Sequence, residues 1–228
     1  MTKQIKSTPY LSGLSQLCAL VFFLSFAANP ALASTEQAVA GESNNPIELS
    51  MKDYVPDKTD WSEKASAKYE KTKDGGGVPM ALLSIDRLNI KAPVYSGTHR
   101  ITLDRGLGWV EGTANPEEVG NIAISGHRDG FFRPLKDIKV GDAIEMQTIA
   151  GTQQFEVSDI SIVDALEVSV LDPTDTTVLT LITCHPFYFQ GYAPDRYIVR
   201  AVPVGSGSDG AGVYSIQDDT NQVPTDVR

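Results

Sequence analysis

The sequence predicts a mostly β domain, folded as a sandwich or a barrel, between residues 78 and 204. Short apolar runs rich in Val, Ile, Leu and Thr recur in this region, and Gly, Asp and Pro separate them at close intervals. Such spacing is typical of sheets built from many short strands. Helical patterns do not alternate regularly with the runs, which favours this fold over βαβ units.

Seven segments of the region are predicted as strands. In chain order they are MALLSI, LNIKAPVY, GNIAISG, DAIEMQT, QQFEVSDISIV, TVLTLITC and RYIVRAV. Asp86 and Arg87 form a turn between the first two, and short helical turns are expected at ITLDRGLG and FFRPLKDI. The chain of 228 residues has room for one such domain with flanking segments.

Residues 1–33 are predicted as an export signal. Lys3 and Lys6 precede an apolar stretch, and the small-x-small triplet Ala31-Leu32-Ala33 follows it, as in a signal peptide. The strongly apolar core, residues 17–28, has about 12 residues, against the roughly 20 that a spanning helix needs. We expect cleavage after Ala33, with an uncleaved membrane anchor as the alternative, and export to the periplasm or cell envelope in both cases.

The segments on either side of the predicted domain are polar. Residues 34–77 are predicted as a polar linker, because they contain few large apolar residues and end in Asp-Gly-Gly-Gly. Within them, residues 61–71 could form a solvated helix, with Trp61 and Tyr69 as its apolar anchors. Residues 205–228 are expected to be a disordered polar tail.

Charge and residue spacing exclude several functions. The formal net charge is −10, so the chain has no broad attraction for nucleic acid or anionic lipid. Cleavage would remove Cys18 and leave Cys184 alone, and the three histidines show no H-x-x-x-H spacing. We therefore predict no metal ion, no cofactor and no nucleic acid partner.

The thiol of Cys184 stands at the end of the predicted strand TVLTLITC, and residues 185–195 separate it from Arg196. If the two strands pair as an antiparallel hairpin, Cys184 and Arg196 oppose each other with Cα atoms about 4.5–5.5 Å apart. A guanidinium beside the thiol would favour the thiolate and could stabilise an oxyanion. The alternative is an inert, buried cysteine beside a charge at the sheet edge.

A cysteine hydrolase or transferase also needs a proton shuttle. His127 follows the apolar strand in GNIAISGHRDG, where a rigid sheet can hold a side chain accurately. His185 would point to the face opposite Cys184, and His99 lies in a polar turn. Asp129 could orient His127, although an Asp in such a loop is more often a turn residue.

Together, His127 in SGHRDG, Cys184 in TLITC and Arg196 twelve residues later resemble the sortases, the cysteine transpeptidases of bacterial envelopes. The likeness covers roughly residues 78–204. The form TLITCHPFYFQGYAPDRYIVRA is most similar to the class D-like sortases of proteobacteria. The resemblance implies a closed eight-stranded β-barrel with short helices, with Cys184 and Arg196 on its last two strands and His127 at an earlier strand end.

The resemblance also implies a reaction and its partners. Cys184 would attack the threonine carbonyl of an LPxTG-like sorting signal at the C-terminus of a secreted protein, and an amine acceptor in the envelope would resolve the thioester. His127 would protonate the leaving amine and deprotonate the incoming one. Arg196 would hold the substrate and stabilise the oxyanion, and Thr183 would help to place the substrate. The aromatic loop after Cys184 would form a wall of the substrate groove. A membrane tether is usual in the family, whereas Ala31-Leu32-Ala33 predicts cleavage in this chain.

Two other functions fit the same residues. A secreted cysteine peptidase differs from a transpeptidase only in using water to resolve the acyl-enzyme. A non-catalytic β-rich binding domain would carry Cys184 as an inert thiol. The reactivity of Cys184 in the folded protein separates the binding domain from both kinds of enzyme.

Overall fold

The computed structural model describes residues 45–52, 54–188 and 191–205. The predicted export signal, residues 1–33, lies outside the described residues. Residues 206–228 of the predicted tail also lie outside them. Within the described ranges, no helix has both the length and the apolar character needed to cross a membrane.

Eight strands in the described part of the chain close into a barrel. They are β1 (Ala81–Ile85), β2 (Ile90–Ser96), β3 (Leu107–Trp109), β4 (Asn121–Ser125), β5 (Ala143–Thr148), β6 (Gly151–Asp164), β7 (Val178–His185) and β8 (Asp195–Pro203). Their order around the barrel is β1-β2-β3-β4-β7-β8-β6-β5, and β5 pairs with β1 to close it. The predicted mostly β fold and the eight-stranded barrel are confirmed.

Strand β6 pairs with two neighbours along its length. Its first half pairs with β5 and its second half with β8, and the register shifts between Val157 and Asp159. A local irregularity of this kind bends a long strand and increases its twist. The 14 residues of β6 therefore turn the corner that joins the two sides of the barrel.

The strands β4 and β7 form a parallel pair at the centre of the site described below. Four of the five residues of β4 are buried, and Leu179, Thr180 and Leu181 of β7 are also buried. Burial on both faces explains why these two strands are near-continuous apolar runs in the sequence. The pair is a rigid support for the residues that follow it.

Strand β3 is not among the seven predicted strands. The helical turn predicted over residues 101–108 is wrong beyond Arg105, because helix Arg100–Arg105 ends there and β3 begins at Leu107. A Cβ added to Gly108 would lie 2.5 Å from the backbone oxygen of Gly97, so only glycine allows this close approach. In the sequence the same glycine looks like a turn residue.

Helices in the described chain lie before and between the strands. They are α1 (Pro46–Met51), α2 (Glu63–Thr72) and α3 (Arg100–Arg105), with short 3-10 helices at Asp86–Leu88, Arg133–Asp137 and Ser169–Leu171. The 3-10 helix Arg133–Asp137 confirms the helical turn predicted at FFRPLKDI. Both α1 and α2 fall within the range predicted as a polar linker.

An aromatic cluster fastens α2 to the loop that follows β4. The Trp61 and Phe131 ring centroids are 4.6 Å apart, and those of Tyr69 and Phe131 are 5.9 Å apart, both in edge-to-face geometry. Tyr69 is 8% exposed. The two anchors named from the sequence therefore make α2 a packed helix rather than a solvated one.

Candidate active site

The parallel pair β4 and β7 brings His127 and Cys184 to one edge of the barrel. Ser125, at the end of β4, pairs with Ile182, and the Gly126 N–H donates to the Ile182 carbonyl at 3.1 Å. Parallel strands run in the same direction, so the residues that follow this pair emerge side by side. His127 and Cys184, distant in sequence, accordingly line one cavity.

Thr183 ties the two strand ends together. Its side chain is buried, at 2% exposure, and its hydroxyl donates to the Gly126 carbonyl at 2.8 Å. Side chains alternate along a strand, so this hydroxyl lies on the face of β7 opposite the Cys184 thiol. The contact fixes the start of the loop that carries His127. The substrate-placing role of Thr183 stays a prediction.

The loop that carries His127 is held from both ends. A Cβ on Gly126 would lie 2.6 Å from the Phe132 ring and 2.7 Å from Leu107, so only glycine fits at this position. After it, the His127 carbonyl accepts from the N–H groups of Gly130 and Phe132, both at 3.2 Å. Packing and hydrogen bonds together fix the backbone of His127.

The surroundings of His127 favour its neutral form. Burial lowers the pKa of the imidazole from its ordinary value of 6.5, and the nearby Lys68 ammonium lowers it further, while Asp129 and Asp104 act in the opposite direction. Neutral imidazole predominates at neutral pH. It can therefore accept a proton from a thiol.

The carboxylate in contact with His127 is Asp104. His127 Nε2 lies 3.4 Å from Asp104 Oδ1, and Lys68 Nζ lies 3.1 Å from the same oxygen. The Asp104 side chain is 6% exposed. The first distance is longer than that of a good hydrogen bond, so the carboxylate acts on the imidazole mainly by favouring its protonated form.

Asp129, considered from the sequence as the orienting group, binds elsewhere. Its carboxylate accepts from the Ser62 hydroxyl at 3.2 Å, and its carbonyl accepts from the Ser62 N–H at 3.1 Å. These contacts hold the start of α2 against the His127 loop. Asp104, which sequence reasoning did not connect with His127, carries no signal for this role, because it sits on a separate helix far upstream.

The hairpin predicted for Cys184 and Arg196 is confirmed. β7 and β8 are antiparallel, and their register places Cys184 opposite Arg196 and His185 opposite Asp195. Cys184 is a free thiol of intermediate exposure. The backbone therefore puts the thiol and the arginine side chain on the same face of the hairpin.

The guanidinium of Arg196 is occupied by its own loop. Arg196 Nη1 donates to the Ala193 carbonyl at 3.1 Å and to the Asp195 carbonyl at 2.9 Å. Arg196 is not among the described residues that line the cavity around Cys184, whereas Arg128 and Arg133 are. The structure thus brings together Cys184 and His127 and keeps the guanidinium of Arg196 aside.

The cavity has a volume of about 640 Å³. Its described lining residues are Ser62, Lys64, Lys68, His127, Arg128, Asp129, Arg133, Cys184, Phe187, Tyr188 and Gly191. Three of them come from α2 and its N-cap, in the range predicted as a polar linker. Such a contribution was not visible from composition alone, since Ser and Lys are ordinary residues of a polar linker.

The aromatic loop after Cys184 supplies the opposite wall. Phe187 is buried against Tyr197, with ring centroids 5.1 Å apart. Tyr188 is 69% exposed, and the Arg133 guanidinium lies 4.4 Å from its ring centroid. Both aromatics line the cavity, as expected for a wall of the groove, while Phe189 lies outside the described residues.

Metal-ligating side chains are not clustered in the described part of the chain. Across residues 45–52, 54–188 and 191–205, no group of three or more His, Cys, Asp and Glu is placed to hold a metal ion.

Comparison with known proteins finds relatives of this chain. A family model described as the sortase domain matches residues 83–204. The chain is 34% identical over 137 residues to Sortase D of Bacillus subtilis, covering 60% of this chain and 67% of that protein. It is 30% identical over 128 residues to Sortase A of Listeria monocytogenes, covering 53% of this chain and 54% of that protein.

A solved structure agrees with these sequence relatives. The chain superposes on the Sortase D5 transpeptidase of Clostridium perfringens with a TM-score of 0.52 and 27% sequence identity. The superposition covers 69% of this chain and 93% of that one. The fold is therefore shared over 93% of the solved chain.

Proposed function

The chain belongs to the sortase family, a family of cysteine transpeptidases, and we propose that it cuts an LPxTG-like sorting signal and joins the released acyl group to an amine of the cell envelope. The observation that carries the proposal is the cavity shared by Cys184 and His127 where β4 and β7 end together. A secreted protein supplies the signal at its C-terminus, and an envelope component supplies the amine.

The first half of the reaction acylates Cys184. The thiol sulfur attacks the carbonyl carbon of the threonine in the signal, and His127 accepts the thiol proton. The same proton passes to the amide nitrogen of the following residue as the C–N bond breaks, so the C-terminal fragment leaves as an amine. The lowered pKa of His127 suits this step, because the imidazole must start in its neutral form.

The second half releases the product. An acceptor amine attacks the thioester carbon, and His127 takes a proton from the attacking nitrogen. As the C–S bond breaks and the new amide forms, His127 returns the proton to the leaving Cys184 sulfur. Water in place of the amine gives hydrolysis through the same steps. The ratio of ligated to hydrolysed product therefore measures whether the enzyme is a transferase or a peptidase.

Arg196 is proposed to stabilise the oxyanion that forms on the threonine carbonyl. Its position opposite Cys184 gives the long side chain access to that face. Substrate must then draw the guanidinium away from the carbonyls of Ala193 and Asp195. Arg128, which lines the cavity and donates to the Pro186 and Gly191 carbonyls at 2.9 and 3.1 Å, is the competing cation.

We further propose a class D-like subclass and an envelope location. The likeness to Sortase D of B. subtilis and to Sortase D5 of C. perfringens supports the subclass, and a proteobacterial source stays a prediction. Export rests on the signal pattern of residues 1–33. The mass of the N-terminal peptide, measured on protein from the soluble and membrane fractions, distinguishes cleavage after Ala33 from an uncleaved anchor.

Product analysis tests the proposed function. The full chain is incubated with a library of LPxTG-like peptides and triglycine, and the products are identified by mass spectrometry. We expect peptides cut after threonine and joined to triglycine. The Cys184→Ala protein, matched for folding by circular dichroism, should give neither product. Intact peptides across the whole library would contradict the proposal.

A further inference from the structure

The cavity around Cys184 is cationic, although the chain as a whole is acidic. Its described lining carries four cations, Lys64, Lys68, Arg128 and Arg133, and one carboxylate, Asp129. The formal net charge of the chain is −10. The local excess of positive charge is therefore a property of the site and not of the surface in general.

Three of the four cations lack a carboxylate partner among the described residues. Lys68 is neutralised by Asp104, at 3.1 Å. Lys64, Arg128 and Arg133 form no ion pair with any described residue. No described carboxylate lies within ion-pair distance of these three cations, so the lining keeps an excess of positive charge.

The two arginines are oriented by neutral groups. Arg128 donates to the carbonyls of Pro186 and Gly191, and Arg133 Nη1 donates to the Phe187 carbonyl at 3.2 Å. A carbonyl fixes the position of a guanidinium without cancelling its charge, and a guanidinium has five N–H donors in total. Each arginine thus keeps donors for an anion and holds a defined position.

Helix α2 adds to the same field. Its ten residues begin at the cavity, where the Ser62 hydroxyl accepts from the Ala65 N–H at 3.0 Å and Lys64 lines the wall. The N-terminus of a helix carries a partial positive charge. The Asp129 carboxylate, bound to the Ser62 hydroxyl, offsets part of this charge, but its single negative charge does not balance the four cations of the described lining.

We propose that this cavity selects a ligand that bears a carboxylate next to the reacting groups, either in the sorting signal or in the amine acceptor. The inference rests on the proposed function, because it assigns a charge to the substrates of the same site. An entering carboxylate gains charge-assisted hydrogen bonds from Arg128 and Arg133, and it breaks no existing ion pair of theirs. A cationic group at the same place is repelled.

Matched substrates test the charge preference and distinguish its two sources. On the peptide side, LPETG, LPQTG and LPKTG peptides are compared, each also with Glu or Gln after the glycine. On the acceptor side, triglycine is compared with triglycinamide, which has the same amine and backbone but a neutral amide in place of the C-terminal carboxylate. We expect one acidic member to exceed its neutral match about fivefold in kcat/KM, the size of a partly exposed ion pair, with a smaller ratio in high salt.

A pair of variants on α2 assigns the preference to the cavity. Lys64 and Lys71 are both exposed residues of α2, and only Lys64 lines the cavity. Lys64→Glu should lower the preference for the acidic substrate about threefold or more. Lys71→Glu makes the same change in charge on the same helix and should leave the preference unchanged. Equal melting temperatures for the two variants exclude a folding effect.

The outcomes separate this inference from the proposed function. If Cys184 is acylated but all acidic, neutral and basic substrates react equally at low salt, the inference is overturned and the transpeptidase function stands. An equal loss of preference in Lys64→Glu and Lys71→Glu also overturns it, because the effect then lies outside the cavity. If no peptide acylates Cys184, the proposed function fails and the inference fails with it.

Discussion

Cys184 lies directly opposite Arg196 in the β7–β8 hairpin, yet the Arg196 guanidinium donates to the backbone carbonyls of Ala193 and Asp195. The backbone therefore places the thiol and the arginine together, while the hydrogen bonds of the loop hold the charged group away from the cavity. A role for Arg196 in the reaction requires the substrate to compete with these two carbonyls.

Replacement of Arg196 by lysine tests that role. Arg196→Lys keeps the positive charge but loses the planar group that can hold two acceptors at once. We expect kcat to fall about 100-fold or more, as when an oxyanion donor is removed. Steady-state kinetics with a fluorogenic sorting-signal peptide gives kcat and KM separately.

Two further arginines are replaced for comparison, Arg200 as a control and Arg128 as the competing candidate. Arg200→Lys changes the same strand away from the hairpin end and should leave kcat unchanged. Arg128→Lys changes a cation that already lines the cavity. Near-normal turnover in Arg196→Lys together with a large loss in Arg128→Lys would assign the oxyanion to Arg128 instead.

The pH dependence of kcat/KM should report the surroundings of His127. Because burial and Lys68 lower the pKa of His127 below 6.5, the imidazole stays neutral until the pH falls below that value. Activity that needs neutral His127 is therefore retained at neutral pH and lost as the pH falls through the lowered pKa. We expect the acid limb of the profile below pH 6.5.

Two substitutions should move this acid limb in opposite directions. Lys68→Met removes a cation that lowers the pKa of His127, so the limb should move to higher pH. Asp104→Asn removes a carboxylate that raises the same pKa, so the limb should move to lower pH. Shifts of both variants in one direction, with folding intact, would show that charge at Lys68 and Asp104 does not set the protonation of His127.

Gly126 should tolerate no side chain. In Gly126→Ala the new Cβ meets Phe132 at 2.6 Å and Leu107 at 2.7 Å, and overpacking of this kind costs about 1–3 kcal/mol. We expect a lower free energy of unfolding in urea titrations and a loss of activity, because the loop that carries His127 must shift. Gly76→Ala, where no atom lies within 4 Å of the new Cβ, should be close to neutral in both measurements.

The hydroxyl of Thr183 should matter for structure before it matters for binding. Thr183→Val leaves the buried Gly126 carbonyl without its 2.8 Å hydrogen bond, at a cost of about 1–3 kcal/mol. Thr183→Ser keeps the hydroxyl and should retain most of the stability. If Thr183→Val instead raises KM with an unchanged free energy of unfolding, the hydroxyl acts on the substrate, as first expected from the sequence.

Much of the barrel was predictable because its strands are long enough to show an apolar pattern. The runs at β4 and β7, the hairpin that sets Cys184 opposite Arg196 and the anchors Trp61 and Tyr69 were all visible in the sequence. Strand β3 was not, because its three residues follow Gly106 and include Gly108, a pattern that resembles a turn. The apolar runs themselves carried the correct strand assignments at β4 and β7.

The remaining parts of the site depend on contacts between distant segments. Asp104 reaches His127 from α3, and Lys64 and Lys68 reach the cavity from α2. Spacing along the chain does not encode such contacts, since each segment on its own is an ordinary polar helix. The turned-away guanidinium of Arg196 likewise depends on loop carbonyls whose position only the folded chain defines.

Trapping the acyl-enzyme tests the central claim most directly. The full chain is mixed with an LPxTG-like peptide without any amine, quenched in acid, and digested for peptide mapping by mass spectrometry. We predict a thioester that joins the threonine carbonyl to Cys184, released by triglycine or hydroxylamine and absent in Cys184→Ala. A folded protein that converts the peptide with no adduct on Cys184, or that remains equally active as Cys184→Ala, would contradict the claim.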